Sequence, residues 1–223
     1  IDSVSYVWQF YAADSAHTQT VKDGNGEMAD YYTNGELKSW YNYKDGLKDG
    51  PFEEVSTYGY YLMKGEFLNN KPHGKWETYY YTGDLEKVSN YENGVLQGDY
   101  TYYYDNDQIK VKGQFLNGEK TGEWSWYTNS GVLDMKGDFK NGIQHGKWIY
   151  NYPSGEVSYK ASFKNGLKDG KWKYFYEDGS KFKIGSFEND LKNGEWKTWY
   201  ENGTLLMEGN YRDDKEEGEW LNY

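Results

Sequence analysis

The sequence predicts an all-β protein, an elongated single-layer antiparallel meander of β-hairpins built from 24-residue repeats. Three observations support this fold class: a glycine recurs every 24 residues, each period contains two turn signals, and the segments between turns are rich in Tyr, Trp, Phe and Val. Helices need ten or more residues of 3.6-residue periodicity, for which the turn signals leave no room. We therefore expect strands throughout the repeated region.

The recurring glycine defines the domain organisation. Its nine copies are Gly26, Gly50, Gly74, Gly98, Gly122, Gly146, Gly170, Gly194 and Gly218. We assign residues 26–223 to eight repeats of 24 residues plus a partial ninth, and residues 1–25 to an N-terminal capping strand and irregular segment. Val4, Tyr6, Trp8 and Phe10 form the alternating pattern of that strand, and the stretch from Ala12 to Gly26 is expected to be irregular. Terminal units of repeat arrays commonly depart from the consensus in this way.

Each repeat contains two turn signals, of which Thr82-Gly83 and Asn93-Gly94 are one pair. Asn, Asp and Gly tolerate positive φ, so both signals favour tight hairpin connections. Closing the first turn with Tyr80 opposite Leu85 defines a register that, applied to the other repeats, places Trp124 opposite Gly137. We expect the indole to cover the small residue across the same hairpin.

Two aromatic columns form the predicted core. Two residues after each repeat glycine comes a large apolar side chain: Met28, Phe52, Trp76, Tyr100, Trp124, Trp148, Trp172, Trp196 or Trp220. A second column, 17 residues after the glycine, is aromatic in every full copy, as at Phe139 and Phe163. Aromatic residues make up 20% of the chain, enough to replace the scarce aliphatic residues. One face of the sheet is therefore expected to be an aromatic core and the other mostly polar.

The charge of the chain restricts its partners. There are 25 basic and 36 acidic side chains, a net charge of -11, whereas phosphate binding draws on clustered Lys and Arg. We therefore expect no nucleic acid partner, and membrane lipid is disfavoured on the same ground. A protein or peptide partner is expected, with a glycan as the alternative. The sequence leaves the compartment open between cytoplasmic and exported with a leader removed.

Chemistry-bearing residues are sparse in this sequence. There is no cysteine, and His73 and His145 directly precede repeat glycines in two distant copies, which favours a loop role over a metal site. The Asp-Gly and Asn-Gly pairs lack the alternating carboxylates of calcium loops and are better explained as turns. We expect no metal, no cofactor and no enzymatic activity.

Two further aromatic columns are candidate binding sites. Four residues after the glycine, the middle copies carry rings where outer copies carry Asp, Glu or Thr: Tyr102, Trp126, Tyr150 and Tyr174. This stripe is either a more enclosed part of the core or a central recognition groove for a partner. The next position carries Tyr79, Tyr103, Tyr127, Phe175 and Trp199 on the polar face, opposite residues expected to be polar. That ladder either stabilises the sheet or stacks against sugars or an extended peptide.

The string from Phe163 to Gly179 contains Asn-Gly at 165–166, Gly170, Trp172, Tyr176 and Asp-Gly at 178–179. This pattern resembles the MORN repeat variant of bacterial proteins. The resemblance extends from Gly26 to Tyr223, with departures at Met28, Val55, Ser56 and Asp107. It implies a hairpin meander used for binding, and bacterial members are often labelled antitoxins of toxin-antitoxin pairs. We predict a non-enzymatic protein-binding scaffold, antitoxin or immunity-like. The alternative is carbohydrate or cell-wall binding, as in the aromatic choline-binding repeats.

Overall fold

The computed structural model of this chain describes Val7, residues 10–11 and residues 19–223. These residues form twenty β-strands and no helix, so none of them belongs to a helix long and apolar enough to cross a membrane. Most of the predicted capping strand, including Val4, Tyr6 and Trp8, lies outside the described residues. The chain divides into two units, residues 1–107 with 115–118 and residues 108–114 with 119–223.

In the first unit each strand is antiparallel to the next, from β1 to β9. The strands are β1 (Phe10–Tyr11), β2 (Gln19–Lys22), β3 (Asn25–Tyr31), β4 (Leu37–Lys44), β5 (Leu47–Val55), β6 (Tyr61–Leu68), β7 (Lys71–Tyr79), β8 (Leu85–Glu92) and β9 (Val95–Tyr103). Strand β10 (Ile109–Leu116) contributes residues to both units.

The second unit continues with the same antiparallel pairing between consecutive strands. Its strands are β11 (Glu119–Tyr127), β12 (Leu133–Lys140), β13 (Ile143–Asn151), β14 (Val157–Lys164), β15 (Leu167–Lys168), β16 (Gly170–Phe175), β17 (Lys181–Glu188), β18 (Leu191–Trp199), β19 (Leu205–Arg212) and β20 (Lys215–Asn222). Strands β15 and β16 both pair with β14 and form one interrupted strand. The prediction of an all-β hairpin meander is confirmed.

The two turns of a repeat have different structures. Asn93 and Gly94 have φ of 51° and 86°, which makes the second turn a two-residue connection of the kind that matches the strand twist. The first turn is longer: the Tyr80 N–H donates to the Asp84 carbonyl at 2.9 Å, and the Gly83 N–H donates to the Tyr80 carbonyl at 2.9 Å. Only the glycine of Thr82-Gly83 has positive φ.

A bulge in each long strand explains why the glycine recurs. In the pairing of β8 with β9, Ser89 lies opposite Tyr100 but Tyr91 lies opposite Leu96, so the β9 strand contains extra residues between these pairs. Gly98, within this bulge, has a φ of 78°, a conformation that costs other residues energy. The same register shift surrounds Gly50, Gly74, Gly146, Gly170, Gly194 and Gly218, so in these copies the repeat glycine marks a bulge.

A second irregularity corrects the expected register at the first turn. Trp76 lies opposite Ser89, as expected, but Tyr79 rather than Tyr80 lies opposite Leu85, because a bulge precedes the turn. Tyr80 instead lies in the loop. Because this bulge recurs, the residues of the ladder, which lie five residues after the repeat glycine, have other cross-strand neighbours than the sequence predicts.

The core forms on the face that contains Trp148 and Trp172, here called the aromatic face; the opposite side is the polar face. Trp124 does lie opposite Gly137, but the indole that covers Gly137 belongs to Trp148 in the next repeat. A Cβ at Gly137 would come within 2.1 Å of the Trp148 Cδ2 atom. The expectation that each indole covers its own hairpin is wrong: the covering ring comes from the following strand.

The segment before the first repeat is more regular than expected. Gln19–Lys22 is a strand, not an irregular stretch, and it pairs with β3 through a turn at Asp23 and Gly24. The Val-Lys-Asp-Gly of this turn matches the Tyr-Lys-Asp-Gly at 43–46. Val21 is fully buried at the position that corresponds to Tyr43. The first repeat is therefore preceded by a partial copy with a shorter connection.

Candidate functional site

The tryptophan column two residues after the repeat glycine is structural. Trp124 and Trp148 are 1% exposed, and the Trp148 Nε1–H donates to the Asp138 carbonyl at 3.2 Å. The same bond recurs from Trp76 to Glu66 and from Trp172 to Ser162. These three indoles thus join one repeat to the strand before it, with ring burial and a backbone hydrogen bond combined.

The predicted stripe lies on the aromatic face and is partly buried. In the second unit Trp126 has its ring centroid 6.1 Å from that of Trp124 and 5.8 Å from that of Trp148. Trp126, Tyr150 and Tyr174 all pack against the buried core. Trp126 is therefore mainly a core residue, which is the enclosed-core interpretation of the stripe at this position.

Tyr150 and Tyr174 belong to a row of stacked rings. The ring of Tyr159 lies between them, with its centroid 4.2 Å from that of Tyr150 at an interplanar angle of 11°, and 5.6 Å from that of Tyr174. We call Tyr150, Tyr159 and Tyr174 the tyrosine row. All three rings are partly exposed on the aromatic face, and burial, with the neighbouring phenols, raises the pKa of Tyr159 to about 12. Because the ring faces pack on one another, the row presents ring edges and hydroxyl groups on this face.

Tyr102, the stripe member in the first unit, is held differently. Its hydroxyl donates to a carboxylate oxygen of Glu86 at 2.8 Å. This hydrogen bond and burial raise the pKa of Tyr102. The structure therefore joins Tyr150 and Tyr174 in one row, whereas Tyr102 has its own polar partner.

Tyr159 was missed by the sequence analysis, although a signal exists. It lies 13 residues after Gly146, in a column that otherwise carries Ser39, Met63, Lys87, Val111, Met135, Lys183 and Met207. It is the one aromatic residue in that column. Comparison of every column for departures from its own consensus would have found it.

The ladder on the polar face has lysine partners. Lys112, Lys160 and Lys181 lie 5.6, 5.8 and 5.7 Å from the ring centroids of Tyr127, Phe175 and Trp199. Its cross-strand neighbours are mostly apolar, for example Leu133 opposite Tyr127, which corrects the expectation of polar ones.

Tyr79 and Tyr103 have further contacts in the first unit. The Tyr79 hydroxyl donates to Glu77 at 2.7 Å, and burial followed by this bond raises the pKa of Tyr79 to about 12. The backbone carbonyl of Tyr103 accepts a hydrogen bond from Tyr80. These contacts favour a stabilising role for the ladder.

A set of tyrosines six residues after the repeat glycine binds consecutive repeats together, which the sequence analysis also missed. In four copies the hydroxyl donates to a backbone carbonyl 23 residues later, at 2.7 to 2.9 Å: Tyr32 to Val55, Tyr80 to Tyr103, Tyr152 to Phe175 and Tyr176 to Trp199. Ser56 and Thr128 occupy this column in two copies. The role of these phenols is structural.

Surface ion pairs are among the polar contacts elsewhere in the part of the chain that the structure describes. Within residues 19–223 and the few described before them, no three His, Asp or Glu side chains come together in a way that would hold a metal ion. Lys197 contacts Glu208 at 2.8 Å and Glu195 at 3.0 Å, and these carboxylates raise its pKa.

Comparison with known proteins identifies the repeat. No curated protein matches the chain. Two similar solved structures are crystal structures of TcdB2–TccC3, one with Cdc42 and one without. Identity is 12% and 11%, the TM-scores are 0.24 and 0.26, and the matches include 93% and 96% of this chain. The chain spans 14% of the length of each of those chains.

The sequence profile of the MORN repeat variant matches six consecutive copies, at residues 72–93, 96–117, 120–141, 144–165, 168–189 and 192–213. These matches include more than half of the chain. The first two copies, with their departures at Met28, Val55 and Ser56, lie outside the matched residues, although their strands follow the same pattern. The chain belongs to the family of MORN repeat variant proteins.

Proposed function

We propose that this protein is a non-enzymatic scaffold that binds a protein partner through the aromatic face of its second unit. The observation that carries the proposal is the tyrosine row, three stacked and partly exposed rings on the sheet. Tyrosine gives large contact area at low entropic cost and is enriched at protein interfaces. MORN repeats form a repeat scaffold, which supports a binding role.

The partner class that we propose is a toxin, with this chain as its antitoxin or immunity-like protein. This finer assignment rests on the family resemblance. Coexpression of the chain with the product of an adjacent toxin-like gene tests it. Restored growth together with a stable complex would support the assignment, and absence of both would contradict it.

The binding role itself is testable without a known partner. Peptides selected from a displayed random library against the wild-type protein would be titrated against the double variant Tyr159→Met and Tyr174→Thr. Met and Thr are the residues that other copies carry at these positions, at Met135 and Thr198, so the sheet should tolerate them. We expect the selected peptides to lose at least about tenfold in affinity, as for interface rings.

The matched control is Tyr58→Thr, because Tyr58 is 82% exposed and lies in a turn of the first unit. Unchanged binding by this control, with lost binding by the double variant, supports the tyrosine row. If no peptide is enriched, or if the double variant binds as the wild type does, the row is not the interface. Selective binding on a glycan array, abolished by Trp199→Ala, would favour carbohydrate recognition by the ladder instead.

A further inference from the structure

Four lysines lie close together on the polar face of the second unit. Lys147 is on β13, Lys160 on β14, and Lys171 and Lys173 on β16; all four are exposed. They line a cleft of about 500 Å³, together with Ile149 and Ser162. We call these four side chains the lysine cleft.

The register places two of these lysines directly opposite each other. Lys160 pairs with Lys173 across β14 and β16, with Ile149 opposite Lys160 and Ile184 opposite Lys173 on the outer sides. Like charges in direct cross-strand positions destabilise a sheet. The isoleucines on either side offer no compensating charge. The lysine cleft therefore lowers the stability of the free protein. A bound anion would offset this loss.

Lysines on both sides of the cleft are neutralised, but those within it are not. Lys136 contacts Glu123 at 3.0 Å, and Lys197 contacts Glu195 and Glu208. Among the ion pairs between described residues, none involves Lys147, Lys160, Lys171 or Lys173. The unneutralised charge is thus local, and carboxylates limit it on two sides.

We propose that the lysine cleft binds an extended acidic peptide segment of a protein partner. Lys171 and Lys173 are two residues apart on one strand, so their Cα atoms are about 7 Å apart, which is also the spacing of alternate side chains in an extended peptide. Carboxylates at alternate positions can therefore pair with both. The flanking carboxylates and the net charge of -11 oppose a long polyanion such as nucleic acid.

This site is on the opposite face from the tyrosine row, and its test does not depend on that proposal. A fluorescein-labelled peptide of alternating Glu and Ser would be titrated by fluorescence anisotropy against the full chain at low and at physiological salt. We expect saturable binding that weakens with salt. The double variant Lys160→Glu and Lys173→Glu should bind at least about tenfold more weakly, as expected for two lost charge-assisted contacts.

The matched control is the double variant Lys22→Glu and Lys44→Glu, which makes the same change in net charge at exposed positions beside turns of the first unit. Its affinity should stay within about twofold of the wild type, because distant exposed charges are screened. The uncharged variant Lys160→Gln and Lys173→Gln should lose binding while its Tm stays the same or rises, since it removes a like-charge pair. A lower Tm would assign the lysines a structural role.

Three further results would overturn the proposal. The first is absence of peptide binding at low salt. The second is an equal loss of binding by the first-unit control, which would indicate attraction to net charge alone. The third is tighter binding of a double-stranded oligonucleotide than of the peptide, measured on the same protein, which would show that the lysine cleft recognises phosphate along a nucleic acid.

Discussion

The middle of the polar face differs between the two units although the strands pair in the same way. In the first unit Lys64 lies between two carboxylates, opposite Glu53 on β5 and Glu77 on β7. In the second unit the lysine at the corresponding place, Lys160, lies opposite Lys173. Opposite charges across strands stabilise a sheet and like charges destabilise it.

This difference shows which part of a repeat is set by the fold and which part is free to vary. The repeat glycine, the indole column and the two turns recur in both units because the hairpin needs them. Charge on the polar face is not constrained by that geometry. Around Lys64 the charges alternate in sign, whereas Lys160 and Lys173 are a like-charge pair, although Lys197 and Glu208 are oppositely charged elsewhere in the second unit. This local exception is what the proposed peptide site at the lysine cleft predicts.

The comparison assumes that the indole column forms the core in each unit. The prediction with the largest expected effect tests this assumption. Trp148→Ala should lower the free energy of unfolding by about 3–5 kcal/mol, because a fully buried ring and its bond to Asp138 are lost. Chemical denaturation would measure this. Trp199→Ala, on the polar face and partly exposed, is the control and should cost far less. A loss below about 1 kcal/mol for Trp148→Ala would mean that the indole column is not the core.

A matched pair of glycine substitutions tests whether the two cores are equivalent. A Cβ at Gly65 would come within 2.3 Å of the Trp76 ring in the first unit, and at Gly137 within 2.1 Å of the Trp148 ring in the second. Gly65→Ala and Gly137→Ala should each cost about 1–3 kcal/mol, as overpacking does. Gly59→Ala tests the separate cost of positive φ, since nothing lies near that atom. Unequal losses at Gly65 and Gly137 would show that the two cores differ.

Alkaline pH should distinguish the tyrosine row from exposed tyrosines. Folding raises the pKa of Tyr159 from 10.0 to about 12. The protonated hydroxyl of Tyr159 therefore contributes fully to the free energy of unfolding below pH 10, and this contribution is lost as the pH rises from about 10 to 12. Tyr159→Phe should remove this loss, which stays below the ~2.7 kcal/mol of two full pKa units because the ring is partly exposed. Unfolding free energies at pH 9 and above measure it, with Tyr58→Phe as the control. Identical pH profiles for the wild type and Tyr159→Phe would contradict the prediction.

Charge substitution on the polar face gives the smallest effect and the sharpest contrast. Lys173→Glu places a carboxylate opposite Lys160 and should stabilise the second unit by about 0.2–1 kcal/mol, whereas Lys64→Glu places three carboxylates in one row and should destabilise the first by a similar amount. Denaturation at low and high salt would measure both. Effects of the same sign, or effects that do not shrink in high salt, would show that charge pairing is not the cause.

The features that repeat were predictable from the sequence, and those that depend on the bulges were not. Period, strands, turns and the indole column follow from residue types at fixed spacing, as at Gly98 and Asn93-Gly94. The opposition of Lys160 and Lys173 follows from pairing between two hairpins, which depends on the bulge at the repeat glycine. A register derived from the first turn alone cannot place them together. Tyr159 was missed for a simpler reason, because its column, 13 residues after the repeat glycine, carries no shared residue type that marks it.

The hydrogen bonds from Tyr32, Tyr80, Tyr152 and Tyr176 to the following repeat have a consequence for how such a chain changes over time. Each acceptor is a main-chain carbonyl, which every residue provides, and the acceptors here belong to Val, Tyr, Phe and Trp. One copy can therefore follow any other without a matching side chain. Duplication or deletion of whole 24-residue units preserves these bonds, so the array can lengthen or shorten while each surviving copy diverges at its surface.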